Sequence, residues 1–370
     1  MSVLIISFFI SLTSILWIVR YNHLHARYTA DSDLTGVQKF HTIPVPRVGG
    51  VGIFLGVLLA LVSRFFQNNL VGIFGLALVA SALPAFLAGL LEDVTKSVGI
   101  KFRLLATMLS AVFAGYLLDG WLTSVQIFGI DNLMVAYPFF AIAITCIAVG
   151  GVANAFNIID GYNGLSSMVA VIILSGIAYV AFQVNDYEIM ISAIAMIGAL
   201  LGFLIWNYPR GLVFLGDGGA YLIGFWIAEL SVLLTARHPE VSKWFPLLLC
   251  MYPIFETLFT MYRRVILKRI HPGAPDASHL HQLIFKRVVR WSTDADERWL
   301  KTQHNAMTSP YLWLLTLFAV IPAILFWRYH LVLKAFTFIF SLTYVWIYWG
   351  IVRYRIPSFL INRRREKEHL

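Results

Sequence analysis

The sequence predicts an all-α integral membrane protein, a single domain over residues 1–370 that crosses the bilayer about eleven times. Three observations predict it. Hydrophobic residues make up 59% of the chain and charged ones only 13%, about half the charge of a soluble domain. The apolar residues come in long runs from end to end, near the roughly 20 residues that a helix needs to span hydrocarbon. The 11 Trp, 16 Tyr and 28 Phe suit a membrane interface, where amphipathic rings collect.

In chain order the spans are expected at about 2–19, 48–63, 70–91, 104–118, 134–153, 167–182, 189–206, 213–235, 244–262, 311–327 and 333–352. The first begins at Met1 with no basic segment before it and no small-residue cleavage site after it. It therefore reads as a retained helix rather than a signal peptide. Cys146 and Cys250 fall inside apolar runs, which excludes a disulfide framework and a CxxC metal site. The net charge of +9 raises the question of nucleic acid, and the placement of the charges answers it. All but five of the 28 lysines and arginines lie in one set of alternating loops, the exceptions being Arg64, Arg237, Lys243, Arg328 and Lys334. Basic residues are held back on the cytoplasmic side. The pattern predicts a periplasmic N-terminus, a cytoplasmic C-terminus, a long cytoplasmic loop at 263–309 and no nucleic-acid partner. The basic tail 353–370 is expected to lie on anionic headgroups of membrane lipids, each charge worth about 1 kcal/mol.

The same face carries the unusual chemistry. Its loops read VPRVGG (45–50), LEDVTKSVGIKFR (91–103), NAFNIIDGYNG (154–164), NYPRGLVFLGDGG (207–219) and HPGAPDASHLHQ (271–282). Of 19 acidic residues only Asp119, Asp131, Asp186, Glu188 and Glu240 belong to the opposite loops. Glu92 and Asp93 end the third span with Lys96 one turn on, either as a solvated helix end with an intrahelical ion pair or as a charged cluster for phosphate or a proton. Asn154, Asn157 and Asp160 recur every three residues, a polar stripe closing an apolar helix. Gly161 and Gly164 follow, permitting a tight turn and close approach of a ligand; a helix C-cap would explain one glycine but not three polar side chains. Asp217, beside Gly216 and ahead of another span, is open to magnesium and its neighbouring amides to phosphate, or else it is a helix cap. His279 and His281, two apart, cannot form a zinc pair on a helix; in a loop after Pro272 and Pro275 they could meet a ligand together, or else they are merely solvated, as most loop histidines are. Glu229 and Glu256 lie within spans, and an intramembrane carboxyl is a functional candidate; Glu256, two turns before Arg263 and Arg264, reads as a structural partner.

In this order the five loops, from Pro44 to Gln282, resemble the polyprenyl-phosphate N-acetylhexosamine-1-phosphate transferases. The resemblance implies transfer of N-acetylhexosamine 1-phosphate from a UDP-sugar to undecaprenyl phosphate. UMP is released and a lipid-linked glycan such as O-antigen begins, at the cytoplasmic face of a bacterial inner membrane. It implies magnesium on Asp217, with manganese able to substitute, and catalytic roles for Glu92, Asp93, Lys96, Asp217 and His279. Phe214 would stack on uracil, Asn207 would lie near the nucleotide, and Lys96, Lys101 or Arg103 would hold the lipid phosphate. Arg47, Asn154, Asn157, Asp160, Gly161, Asn163, Gly216 and His281 complete the expected substrate-binding set. A homodimer is common in the family. Two positions depart from its pattern: Glu92 stands where an Asp-Asp pair usually begins, and HLHQ ends in Gln282 where some relatives carry another histidine. The rival reading is a transporter or lipid-linked sugar flippase using Glu229 and Glu256 as coupling sites, but polar motifs at one rim and the lack of repeated halves disfavour it.

Overall fold

A computed structural model describes residues 1–31, 44–127, 129–267, 269, 278–289 and 297–353, with the side chains of 30, 31, 267, 289 and 297–304 excepted. The described residues are mainly helical. The helices are α1 (Ser2–Arg20), α2 (Asn22–Thr29), α3 (Gly49–Gln67), α4 (Asn69–Thr95), α5 (Ile100–Leu118), α6 (Ile130–Ala136), α7 (Pro138–Ile159) and α8 (Leu165–Gln183). They continue as α9 (Tyr187–Asn207), α10 (Gly216–Arg237), α11 (Trp244–Leu249), α12 (Met251–Tyr262), α13 (Leu280–Ile284), α14 (Glu297–Leu325) and α15 (His330–Val352). Among the described residues, ten helices are long and apolar enough to cross a membrane. Each coincides with an expected span. The expected ninth span is instead two helices, α11 and α12, that meet at Cys250, and a π-helical turn Arg263–Leu267 follows. Pro246 and Pro253, which lack a backbone donor, sit in the first turns of these pieces. Pro138 likewise starts α7, leaving Met134 to the separate α6.

The centre of the bundle is α10, in which every residue from Gly216 to Thr235 is buried. It packs on α3, α4, α5, α7 and α8. At its first turn the contact is backbone on backbone: a Cβ on Gly50 of α3 would lie 2.5 Å from Gly219 Cα, and one on Gly89 of α4 would lie 2.6 Å from the Asp217 carbonyl carbon. Only glycine allows this approach. A two-residue antiparallel ladder, absent from the sequence reading, pairs Ala30–Asp31 (β1) with Val45–Pro46 (β2). The chain leaving β2 then bonds to the segment before α10: Phe214 N–H donates to Pro46 O at 2.8 Å, Gly49 N–H to Phe214 O at 3.0 Å and Gly50 N–H to Leu215 O at 2.9 Å. Arg47 is thereby fixed beside Asp217. Of the expected 263–309 loop, residues 270–277 and 290–296 lie outside the described residues, as does most of the tail, 354–370.

Candidate active site

The polar centre is built on the start of α10. Leu215 precedes it without a side-chain cap, and Gly216 takes φ +75°, turning the chain so that the first amides face α4. Asp93 supplies the missing cap from another helix: its Oδ1 accepts from Asp217 N–H and its Oδ2 from Gly218 N–H, each at 2.8 Å. A carboxylate at this end of a helix is stabilised by the unpaired N–H groups and by the helix dipole. Gly216 has to be glycine here, since a Cβ would press on Arg47 O and on the Asp93 carboxylate.

Asp217, turned outward from that first turn, collects three partners from three other elements. Its Oδ1 accepts from Asn157 Nδ2 at 2.9 Å and from Arg47 Nη2 at 3.3 Å, and Arg103 Nη1 forms an ion pair with Oδ2. Arg47 also stands 3.8 Å from Asp93 Oδ1. Arg103 is buried and its guanidinium lies over the Tyr221 ring, 5.6 Å from the centroid; the Tyr221 hydroxyl in turn donates to Asn154 Oδ1 at 3.3 Å. Tyr221 was missed from sequence, although its position one turn after Asp217 on the same helix was a usable signal. Asp160 closes α7 beside this cluster. Burial pushes its carboxyl up to about 7, with the Arg47 charge pulling the other way.

A second cluster adjoins the first across the turn after α7. His281 is buried, with Nε2 facing Gly161, where a Cβ would sit 3.7 Å away, and its ring meets Tyr162 edge-on at 5.4 Å. His279 lies parallel to it at 5.1 Å and bonds through Nδ1 to Glu256 Oε1 at 3.0 Å. Burial holds the His281 imidazole down at about 3, with His279 and Arg263 lowering it further against the pull of Glu256, so it is neutral at physiological pH. The histidines thus do come together. The device is a short helix entered at His279, whose backbone N–H donates to Gln282 Oε1 at 3.1 Å across its first turn.

The other expected residues are held as follows. Asn207 Oδ1 accepts from Gly164 N–H at 2.6 Å and its Nδ2 donates to Val213 O at 2.8 Å, pinning the segment before α10. Asn163 bonds through its own backbone N–H to Asn305 at 2.7 Å and through Nδ2 to Pro209 O at 3.0 Å. Phe214 is half-buried. Glu92 turns away from Asp93, its Oε2 accepting from Val98 N–H at 2.6 Å, and Lys96 closes α4 in the left-handed conformation, φ 55°. Lys101 is exposed.

The donors are carboxylate oxygens, which suits magnesium: that ion takes one or two carboxylates and completes its shell with phosphate and water. Among the described residues no three His, Cys, Asp or Glu side chains are grouped to hold an ion by themselves. Asp217, with Asp93 and Asp160 nearby, would be its protein anchor.

Comparison with known proteins bears on the family. The family model described as Glycosyl transferase family 4 matches residues 73–235, which include Asp93, Asn157, Asp160 and Asp217. The chain is 32% identical over 289 residues to the undecaprenyl-phosphate alpha-N-acetylglucosaminyl 1-phosphate transferase of Thermotoga maritima, covering 78% of this chain and 82% of that protein. It is 29% identical over 282 residues to the probable undecaprenyl-phosphate N-acetylglucosaminyl 1-phosphate transferase of Bacillus subtilis, covering 75% and 76%. It is 31% identical over 225 residues to a phospho-N-acetylmuramoyl-pentapeptide-transferase of Streptococcus pneumoniae, covering 58% and 66%. A relative of this identity and coverage fixes the kinship: the chain belongs to glycosyl transferase family 4.

Proposed function

We propose that the protein transfers N-acetylhexosamine 1-phosphate from a UDP-sugar to undecaprenyl phosphate at the cytoplasmic rim of a bacterial inner membrane. UMP is released, and the lipid-linked product starts a cell-surface glycan such as O-antigen. The observation that carries this reading is Asp217, held between Arg47, Arg103 and Asn157 at the end of the buried helix α10. A membrane-bound phosphate and a soluble nucleotide can meet only at such a rim, and two anions meet only where cations are already in place.

An oxygen of the lipid phosphate bonds to the sugar-bearing phosphorus, the bond from that phosphorus to the bridging oxygen breaks, and UMP leaves with the electron pair. The sugar carbon–oxygen bond stays intact. One phosphoanhydride replaces another, so the reaction runs in both directions. Arg47 and Arg103 can release Asp217 to hold phosphate oxygens in charge-assisted bonds. Asp160, titrating near neutrality, takes the proton of the lipid phosphate on its carboxylate. Magnesium bound at Asp217 supplies neutralisation of the pyrophosphate charge. Phe214 offers a ring to uracil, and the 160–162 turn with His279 and His281 faces the sugar end. Glu256, a coupling site in a transporter reading, is tied here to His279.

Purified protein with UDP-GlcNAc, magnesium and undecaprenyl phosphate is expected to release UMP. No UMP from any of a panel of UDP-N-acetylhexosamines would overturn the proposal.

A further inference from the structure

Glu256 sits wholly buried on α12, where an uncompensated carboxylate would cost several kcal/mol. It is fully compensated. Oε1 accepts from Leu280 N–H at 3.2 Å and faces His279 Nδ1 at 3.0 Å, while Oε2 accepts from the Tyr344 hydroxyl of α15 at 2.8 Å. Three donors on two oxygens are the surroundings of an ionised carboxylate, which can only accept. The hydrogen of the His279 ring therefore resides on Nδ1, where the Thr260 hydroxyl at 3.2 Å also lies. The other side of the ring agrees: Arg264 Nη2, which can only donate, is 3.4 Å from Nε2. A lone pair must be there to receive it.

We propose that Glu256 is the positioning residue of the histidine segment. It anchors the first amide of α13 and fixes His279, stacked on His281, with the hydrogen on Nδ1 and the lone pair on Nε2, where Arg264 donates. A hydroxyl or amide N–H of the sugar, rather than a phosphate oxygen, can take the place of Arg264 at that lone pair. Tyr344 extends the hold to α15, and Arg263, bonded to the Tyr348 hydroxyl of the same helix at 2.8 Å, also donates to Ser278 O at 2.5 Å, directly before His279. A carboxylate that orients a histidine by its second nitrogen is a recurrent device in sites where the ring must face one way.

The inference rests on the transferase reading for its consequence, not for its geometry, and the two are tested separately. Hydrogen exchange does not depend on turnover. In Glu256→Gln the amides of 280–284 should exchange at least tenfold faster than in wild type while α10 remains protected; unchanged exchange overturns the anchor. In turnover, Glu256→Gln should lower kcat/KM for the UDP-sugar about 10–100-fold, the scale seen when an orienting partner is removed. KM for undecaprenyl phosphate should hold. Combined with His279→Ala, Glu256→Gln should cost less than a further twofold, because the orientation it provides has lost its object. Multiplicative losses would show that Glu256 acts on the fold at large and overturn the proposal. If Glu256→Gln does not extract as a monodisperse protein, Tyr344→Phe removes one of the three donors and should give the same pattern more weakly. An additive Tyr344→Phe and His279→Ala pair would overturn it equally.

Discussion

Gly50→Ala adds one methyl group at the place where α3 crosses the first turn of α10. The new Cβ would lie 2.5 Å from Gly219 Cα and 3.1 Å from the Gly218 carbonyl carbon, whereas carbon atoms in contact prefer roughly 3.5–4.0 Å. Both opposing atoms are backbone, so no side chain can step aside, and the helices must part by about 1 Å. Overpacking of this kind typically costs 1–3 kcal/mol of stability, about the size that a folded protein survives. The larger effect falls on chemistry. Arg47 is three residues upstream of Gly50 and Asp217 two residues upstream of Gly219, so the separation is delivered to the 3.3 Å bond between them. A 1 Å misplacement of reacting groups is worth about 10²-fold in rate. UMP release in detergent should therefore fall by about two orders of magnitude while the variant still purifies as a folded, monodisperse protein. Gly151→Ala on α7 is the control, because a Cβ there meets nothing within 4 Å. It should leave turnover unchanged. Wild-type turnover and wild-type thermal stability in Gly50→Ala would refute the tight α3–α10 contact as the device that holds Arg47 on Asp217.

Asp217→Asn keeps the shape but not the charge, and turnover should drop at least about 10²-fold with magnesium dependence weakened; normal kinetics would return Asp217 to a purely structural role. Asn157→Ala removes a 2.9 Å bond to a charged group, worth about 1.5–3 kcal/mol, so kcat should fall about 10–100-fold with little change in melting temperature. Asp160 accepts a proton only when ionised, and its carboxyl is raised from 3.8 to about 7. The kcat–pH profile should therefore lose activity as pH falls below about 7 and level off above it, and an identical acidic limb in Asp160→Asn would assign that limb to another group. A periplasm-dependent reporter should be active between Asp119 and Asp131 and silent after Arg290; the reverse pattern would invert the orientation.

The membrane helices were legible because hydrocarbon imposes one requirement on every residue of a span, and a run of apolar side chains meets it visibly. The break at Cys250 was not, since Pro246 and Pro253 occupy first turns, where proline is compatible with a continuing apolar run. Within the site, Asn157, Asp160 and Asp217 were legible as polar residues where apolar helices begin or end. Their partners were less so. Arg47 lies 170 residues from Asp217, and nothing local announces the β2 segment that brings them together. Glu92 and Asp93 read as one acidic pair, yet neighbours on a helix point about 100° apart. One of them caps α10 and the other accepts from Val98 N–H. The bonds of Asn207 were hidden for the same reason: nothing local announces that its amide joins Gly164 to Val213.

Where α3, α4 and α10 touch through Gly50, Gly89 and Gly218–Gly219, the floor of the site is made of main chain. Main chain has no side-chain chemistry to vary, so relatives that keep these glycines present a common floor to any inhibitor. A compound seated there would strike them indiscriminately. Selectivity between this protein and its relatives has to come from the walls: the 160–162 turn, the half-buried ring of Phe214 and the buried histidine segment, where this chain reads HLHQ.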